Sequence, residues 1–364
     1  MATYYVRSDA VDDSGDGLAN AVDGANYAWK FLNQAAGVLS AGDKIYVKTG
    51  TYTNYWAGNA VLDIDLSGTS DATIVWEAFK TTPGDRGAGE LVILNAGATV
   101  VNALSCSPTT TQYNFHTFIC FAFTGGLGDG ARLYKSRYFT FKQCKFYGNA
   151  GSGFDSDYLE DGHYCIFVDC DFYSNDSYGV YGGSNYFLNC RFYLNGSNQA
   201  RQKAAMYNGC LFHSGAVGYS LVYDNHTPDP SMYNCTLDGY NVAGNIAGYY
   251  NPKADARIFR IAINTIFYRC STALSVTDTG DEGQVFSNNL YYGNAADVIA
   301  GALQPSATYR GDVLADPLFV DPDNGDYRLR PGSPAINAGL GMNMDIGCNQ
   351  AKQGRILRGV YCHA

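Results

Sequence analysis

One phrase recurs from about residue 139 and constrains the fold more than any other feature: an aromatic, two residues, Cys, one residue, Phe, Tyr, one residue, Asn. It reads Phe141-Cys144-Phe146-Tyr147-Asn149, then Phe167-Cys170-Phe172-Tyr173-Asn175, then Phe187-Cys190-Phe192-Tyr193-Asn195. Tyr207-Cys210-Phe212 and Met232-Cys235-Leu237 are shorter copies. Thr265-Phe267 and Phe286-Asn289-Tyr291-Tyr292-Asn294 are looser ones. Successive Cys-equivalent positions lie 26, 20, 20, 25, 30 and 24 residues apart. A period of this length with variable insertions means stacked coils of a solenoid. Within each copy apolar and polar residues alternate, the two-residue period of a strand, and no copy holds a 3.6-period segment long enough for a helical repeat. The leucine-rich signature is absent. A parallel β-helix remains, with coils about 4.8 Å apart.

The register makes ladders. Cys144, Cys170, Cys190, Cys210 and Cys235 are expected to stack inward as free thiols, because eleven cysteines is an odd number and none forms a CxxC pair. Asn149, Asn175 and Asn195 are expected to form an amide ladder in a tight turn, where Asn tolerates the left-handed conformation and satisfies backbone groups. Asn175 and Asn195 also head glycosylation sequons, as do Asn225 and Asn234. The first two are expected to be buried and unmodified.

Composition narrows the functional classes. Apolar types make up 46% of the 364 residues, which is enough for a core. With 24 Lys and Arg against 34 Asp and Glu, the net charge of −10 argues against nucleic acid as a partner. No apolar run is long enough to insert in a membrane. Met1 to Asp9 lack a basic segment followed by an apolar run, so the expectation is synthesis in the cytoplasm without a signal peptide.

The chain resembles the right-handed parallel β-helix proteins of the pectate-lyase-like superfamily. Tyr4-Tyr5-Val6, the helical Ala28-Trp29-Lys30-Phe31-Leu32 and Ala41 to Tyr52 look like that family's N-terminal cap and first coil. Asp316 to Pro322, Gly325 to Leu329, Gly332 to Gly339 and Asp345-Ile346-Gly347 look like its C-terminal segment. The resemblance implies an all-β, single-stranded right-handed parallel β-helix. Residues 1–42 would form a cap with a short helix around 26–36, residues 43–310 the body, and residues 311–364 a closing segment. It also implies polysaccharide recognition. With no signal peptide expected, the chain resembles a bacteriophage tail spike or receptor-binding protein, found in the virion or outside the cell after lysis. Such a protein would act as a homotrimer or beside other tail components.

Aligning the strand after each Asn turn by its inward residue (Phe154, Val180, Ala200, Leu221, Ile246, Leu274) turns Asp155, Tyr181 and Arg201 outward. Asp157, Gly183 and Lys203 follow two residues on. This row suits a uronate lyase. Proton abstraction beside a sugar carboxylate requires that its charge be neutralised, by Arg201 in a bidentate pair or by Ca²⁺ on Asp155 and Asp157. Lys203 or Tyr181 would then be the base. A hydrolase would use Asp155 and Asp157 as its carboxylate pair. The longer coil carrying Glu160, Asp161 and His163 is a candidate substrate-binding loop, and His213, Asp224 and His226 could border the same groove. Tyr219, Tyr223, Tyr249 and Tyr250 would offer platforms for sugar rings if exposed. Asp12, Asp16 and Asp23 have the spacing of a Ca²⁺ loop, although a Glu is expected in the last place. Gly126-Leu127-Gly128-Asp129-Gly130 reads as a loop. The lyase is favoured over the hydrolase, and a non-catalytic glycan-binding adhesin or structural virion protein is the alternative.

Overall fold

The repeat closes into coils because each carries three short strands separated by turns. The structure is a computed structural model. It describes residues 1–24, 26–53, 60–85, 91–106, 113–156, 164–203, 205–213, 215–216, 218–224, 230–240, 247–251, 260–276, 284–300, 308–340 and 347. Among the described residues the strands fall into three all-parallel sheets of 12, 10 and 10 strands and one antiparallel pair. The chain divides into two compact units, residues 1–177 with 181–183, and residues 178–180 with 184–364.

In the first unit a representative coil runs through Thr140–Lys142 in the first sheet, Lys145–Tyr147 in the second and Phe154–Ser156 in the third. Phe141 pairs in register with Phe118 and Phe167, and Phe146 with Phe123 and Phe172. Their rings stack at 5.5 and 5.1 Å and at 4.9 and 4.8 Å, so the interior is a column of parallel aromatics. The thiol ladder is free and buried, as the repeat implied. Cys144 and Cys170 donate weakly to the carbonyls of Phe118 and Phe141 in the neighbouring coil. Burial pushes the Cys165 and Cys270 thiols up to about 12. A thiol reagent is therefore expected to find the nine described cysteines silent in the folded protein and reactive only after unfolding, and a reductant should leave the melting temperature unchanged. Fast labelling of the native chain would contradict this.

The Asn ladder forms and satisfies backbone groups as expected, with Asn149 Nδ2 also donating to the Phe123 and Tyr147 carbonyls, but the Asn residues do not take the left-handed conformation. Asn149, Asn175 and Asn195 are buried, and Asn149 Nδ2 donates to Asn175 Oδ1 at 2.9 Å. The left-handed conformation falls instead on the residue before each of them, Gly148, Ser174 and Leu194. It also falls on the residue before each ladder Cys, such as Gln143, Asp169 and Asn189. The amides are kept for their hydrogen bonds, and neighbouring residues take the strain of the bends.

The N-terminal helix is shorter than expected, Leu32–Ala36. Asp13 Oδ1 accepts the N–H groups of Lys30 and Phe31, and Trp29 pairs in extended conformation beside Val6, so residues before 32 are committed elsewhere. Thr3–Val6 joins the first sheet against Lys44–Val47. Gly17 is required where it stands, since a Cβ there would lie 2.8 Å from the Trp29 ring.

His116, fully buried, donates from Nε2 to the Leu66 carbonyl and accepts at Nδ1 from Trp76 Nε1 at 3.3 Å, which fixes one neutral tautomer. Burial lowers its pKa from 6.5 to about 4. The folded pKa is depressed, so its contribution is complete above pH 6.5 and is lost as the pH falls through 4, a change of ~3 kcal/mol. His116→Phe should be less stable at neutral pH yet show a shallower acid loss by urea unfolding. An identical acid slope would clear His116 of the role.

In the second unit residues 311–340 fold along the outer side of the second sheet, where Phe319–Asp321 pairs antiparallel with Asp326–Leu329. Phe319, Tyr327, Leu329 and Ala335 pack on Leu211, Ile266 and Leu290. Outward positions of that sheet therefore become apolar where this strap covers them.

Candidate functional site

The third sheet turns one polar row outward in each unit. In the first unit the register aligns Asp63, Ser105, Arg132 and Asp155. Arg132 Nε lies 3.8 Å from Asp155 Oδ2. The carboxyl of Asp129 is within hydrogen-bond reach of Asp155, and burial holds it above the usual carboxylate range against the lowering pull of Ser152 and Arg132. Asp129 also accepts the Ser152 N–H at 2.7 Å, which anchors the turn leading to Asp155. Burial likewise raises Asp63.

In the second unit the row is Arg201, Tyr223, Tyr250 and Ser275. The Arg201 guanidinium lies over the Tyr178 ring at 5.6 Å and the Tyr223 ring at 5.1 Å, and Nη1 donates to the Tyr178 hydroxyl at 2.8 Å. Tyr223 and Tyr250 meet at 5.7 Å. A planar cation held between two rings loses little freedom on binding, and the arrangement can receive a carboxylate. Lys203, half-buried, follows two residues on, just past the strand end.

The predicted residues are sorted by this geometry. Asp155 and Tyr181 lie in the first unit and are half-buried, whereas Arg201 and Lys203 lie in the second. Asp157, Glu160, Asp161, His163 and His226 lie outside the described residues. The alignment was one residue off at Leu221, because Val222 pairs with Ala200. It was three off at Ile246, where the register continues through Tyr249. Two assignments change as a result. Tyr249 is an inward residue, 2% exposed, and is no platform. Asp224 shares the inward face of Val222 and is fully buried, so it does not border a groove. Tyr219 is exposed at 44% and Tyr223 is half-buried beside Arg201. His213 is stacked on Tyr193 at 4.9 Å and packed against Tyr327, and burial brings its pKa to about 3, which marks a structural imidazole.

Asp12, Asp16 and Asp23 are exposed and bond within their own turns. Asp12 accepts from Ser14 and Tyr27, and Asp16 from the Leu18 N–H. Among the described residues no group of three or more His, Cys, Asp or Glu is arranged to hold a metal ion.

Sequence reasoning missed Arg132, Asp129 and Tyr178. Extending the outward row one coil back from Asp155 would have reached Arg132. Asp129 was hidden in the glycine-rich stretch read as a plain loop, and Tyr178 lies before the strand on which the alignment was centred.

No protein-family model matches the chain, and no curated protein matches it in sequence. Among solved structures, the crystal structure of pectate lyase Pel9A matches with a TM-score of 0.65 and 16% identity over 96% of each chain. An alginate lyase from Paenibacillus sp. str. FPU-7 matches with a TM-score of 0.43 and 14% identity, over 78% of this chain and 91% of that one. Geobacillus virus E2 ORF18 gives 0.44 and 13%, over 85% and 60%. The likeness to Pel9A, together with the three parallel sheets, shows the fold, and this chain is a right-handed parallel β-helix of pectate-lyase-like architecture.

Proposed function

We propose that this chain cleaves an acidic polysaccharide by β-elimination, with Arg201 gripping the carboxylate of the sugar that loses its proton. The observation that carries the reading is the clamp: a guanidinium on an outward strand position, flanked by Tyr178 and Tyr223 and oriented by the Tyr178 hydroxyl. Neutralising the carboxylate acidifies the adjacent C–H, and a bidentate Arg does so without a metal. Lys203 is the base in this reading. It takes the C–H proton while the electron pair forms the new double bond and expels the glycosidic oxygen, which is protonated from water.

The likeness of the fold to pectate lyase Pel9A is in keeping with this reading.

The test is incubation of the purified chain with polygalacturonate, alginate and neutral polysaccharides, following reducing ends and the ultraviolet absorbance of unsaturated sugars together. Both signals on an acidic polymer are expected. Reducing ends without absorbance would replace the lyase with a hydrolase, and binding without new ends would leave an adhesin.

A further inference from the structure

The coil from Ala131 to Tyr147 carries Arg132, Lys135, Arg137, Lys142 and Lys145 and no acidic residue, in a chain whose net charge is −10. Lys135 and Arg137 fall on the corner leading from the third sheet to the first, Arg132 stands on the strand just before it, and aromatic residues are interleaved: Arg132, Tyr134, Lys135, Arg137, Tyr138. Tyr134 and Tyr138 are exposed at 36% and 42%, and the Arg132 side chain at 47%. Lys135 Nζ lies 5.2 Å over the Tyr134 ring.

The corner is held rigidly. Arg137 donates its N–H to Asn114 Oδ1 at 2.8 Å, and its carbonyl accepts from the Phe115 N–H. Lys135, Tyr138 and the equivalent aromatics of the flanking coils, Phe115 and Tyr164, all have φ between 49° and 60°. Bulky residues in that region cost roughly 1 kcal/mol or more each and persist where the surroundings enforce them. The strain aligns the rings: Tyr138 stacks on Phe115 at 4.8 Å and on Tyr164 at 5.9 Å, within 12° of parallel. The result is a rib of ring edges bordered by cations.

We infer that this corner is an accessory binding site for an acidic polysaccharide, separate from the Arg201 clamp and acting by holding the polymer. The inference rests on the reading that the chain acts on such a polymer. Fixed cations meet sugar carboxylates, and ring edges beside ammonium and guanidinium donors suit a surface of hydroxyls and C–H groups. Nucleic acid fits less well. A base needs an open ring face to stack on, and the faces of this rib cover one another.

The experiment is affinity electrophoresis of the full chain through gels containing polygalacturonate or alginate, beside turnover on polymer and on short oligosaccharides. Lys135→Glu/Arg137→Glu is expected to weaken retardation by about tenfold and raise KM on polymer, with kcat on short oligosaccharides unchanged. Lys142→Glu, on the same coil but on the first sheet, should retain binding, which separates local contact from net charge. Arg201→Ala should lose turnover but keep retardation. Undiminished retardation of the double variant would remove the corner site while leaving the cleavage reading intact. Retardation by duplex DNA as strong as by the polysaccharides would overturn the assignment of the ligand. A circular dichroism spectrum and melting temperature matching the parent confirm that any loss is of binding; should the double variant misfold, Tyr138→Ala read in the same gels decides.

Discussion

Arg201→Ala is expected to lower kcat/KM on acidic polysaccharide by about 10²–10³-fold, the scale of losing one group that stabilises developing negative charge. The far-ultraviolet spectrum and the melting temperature should stay where they are, because Arg201 stands on the outer side of its strand and is only half-buried. Arg201→Lys should recover little. An ammonium cannot form the two parallel hydrogen bonds to a carboxylate, and it gives up the fit between the Tyr178 and Tyr223 rings. Tyr178→Phe removes only the hydroxyl that orients Nη1, so its loss should be smaller and should appear in KM. Lys203→Ala should abolish the absorbance signal while polymer binding persists. Turnover by Arg201→Ala within about twofold of the parent would remove this residue from the chemistry.

The largest stability effect is expected at the strap. Arg269 reaches Asp238 with Nε at 3.0 Å from Oδ1, and a second bond runs from Nη2 to Oδ2. Asp238 is fully buried and also accepts from the Tyr327 hydroxyl at 2.7 Å. The Arg269 guanidinium lies over the Tyr268 and Tyr240 rings and holds Asp323 of the strap. Arg269→Ala leaves a buried carboxylate without its counter-charge, which costs about 3–5 kcal/mol and should move the urea midpoint far to the left. Asp323→Ala should cost under about 1 kcal/mol because that carboxylate is exposed. Replacing both Arg269 and Asp238 by leucine should cost much less than Arg269→Ala alone, since no unpaired charge is left. If Arg269→Ala cost less than about 1 kcal/mol, the apolar contacts of Phe319, Tyr327 and Leu329 would by themselves hold the strap.

The ladder positions were legible because they repeat. A register error inside the core misplaces every side chain at once, so Phe146, Phe172 and the ladder cysteines could be placed from spacing alone. The outward row was legible only where strand and turn lengths stay constant. At Leu221 and Ile246 the sequence between the second-sheet and third-sheet strands is longer, the phase is lost, and Tyr249 and Asp224 come out on the wrong side. The left-handed positions were misassigned for a related reason. Asn tolerates that conformation, but Ser174 and Leu194 adopt it because the coil geometry demands a bend there. The partners of the site residues were not legible at all. Nothing in the spacing says that Tyr178 reaches Arg201, 23 residues away.

By itself the sequence determined that this chain is a solenoid of parallel strands with an aromatic and thiol interior, because a two-residue alternation repeated every 20 to 30 residues has no other way to bury itself. Tertiary structure alone decided which polar residues meet. It set Arg201 between Tyr178 and Tyr223, put Asp129 against Asp155, and laid Phe319 to Leu329 along the outer side of the second sheet. Core positions answer to a periodic rule, whereas outward contacts depend on loop lengths and on side chains one coil away, which no local pattern encodes.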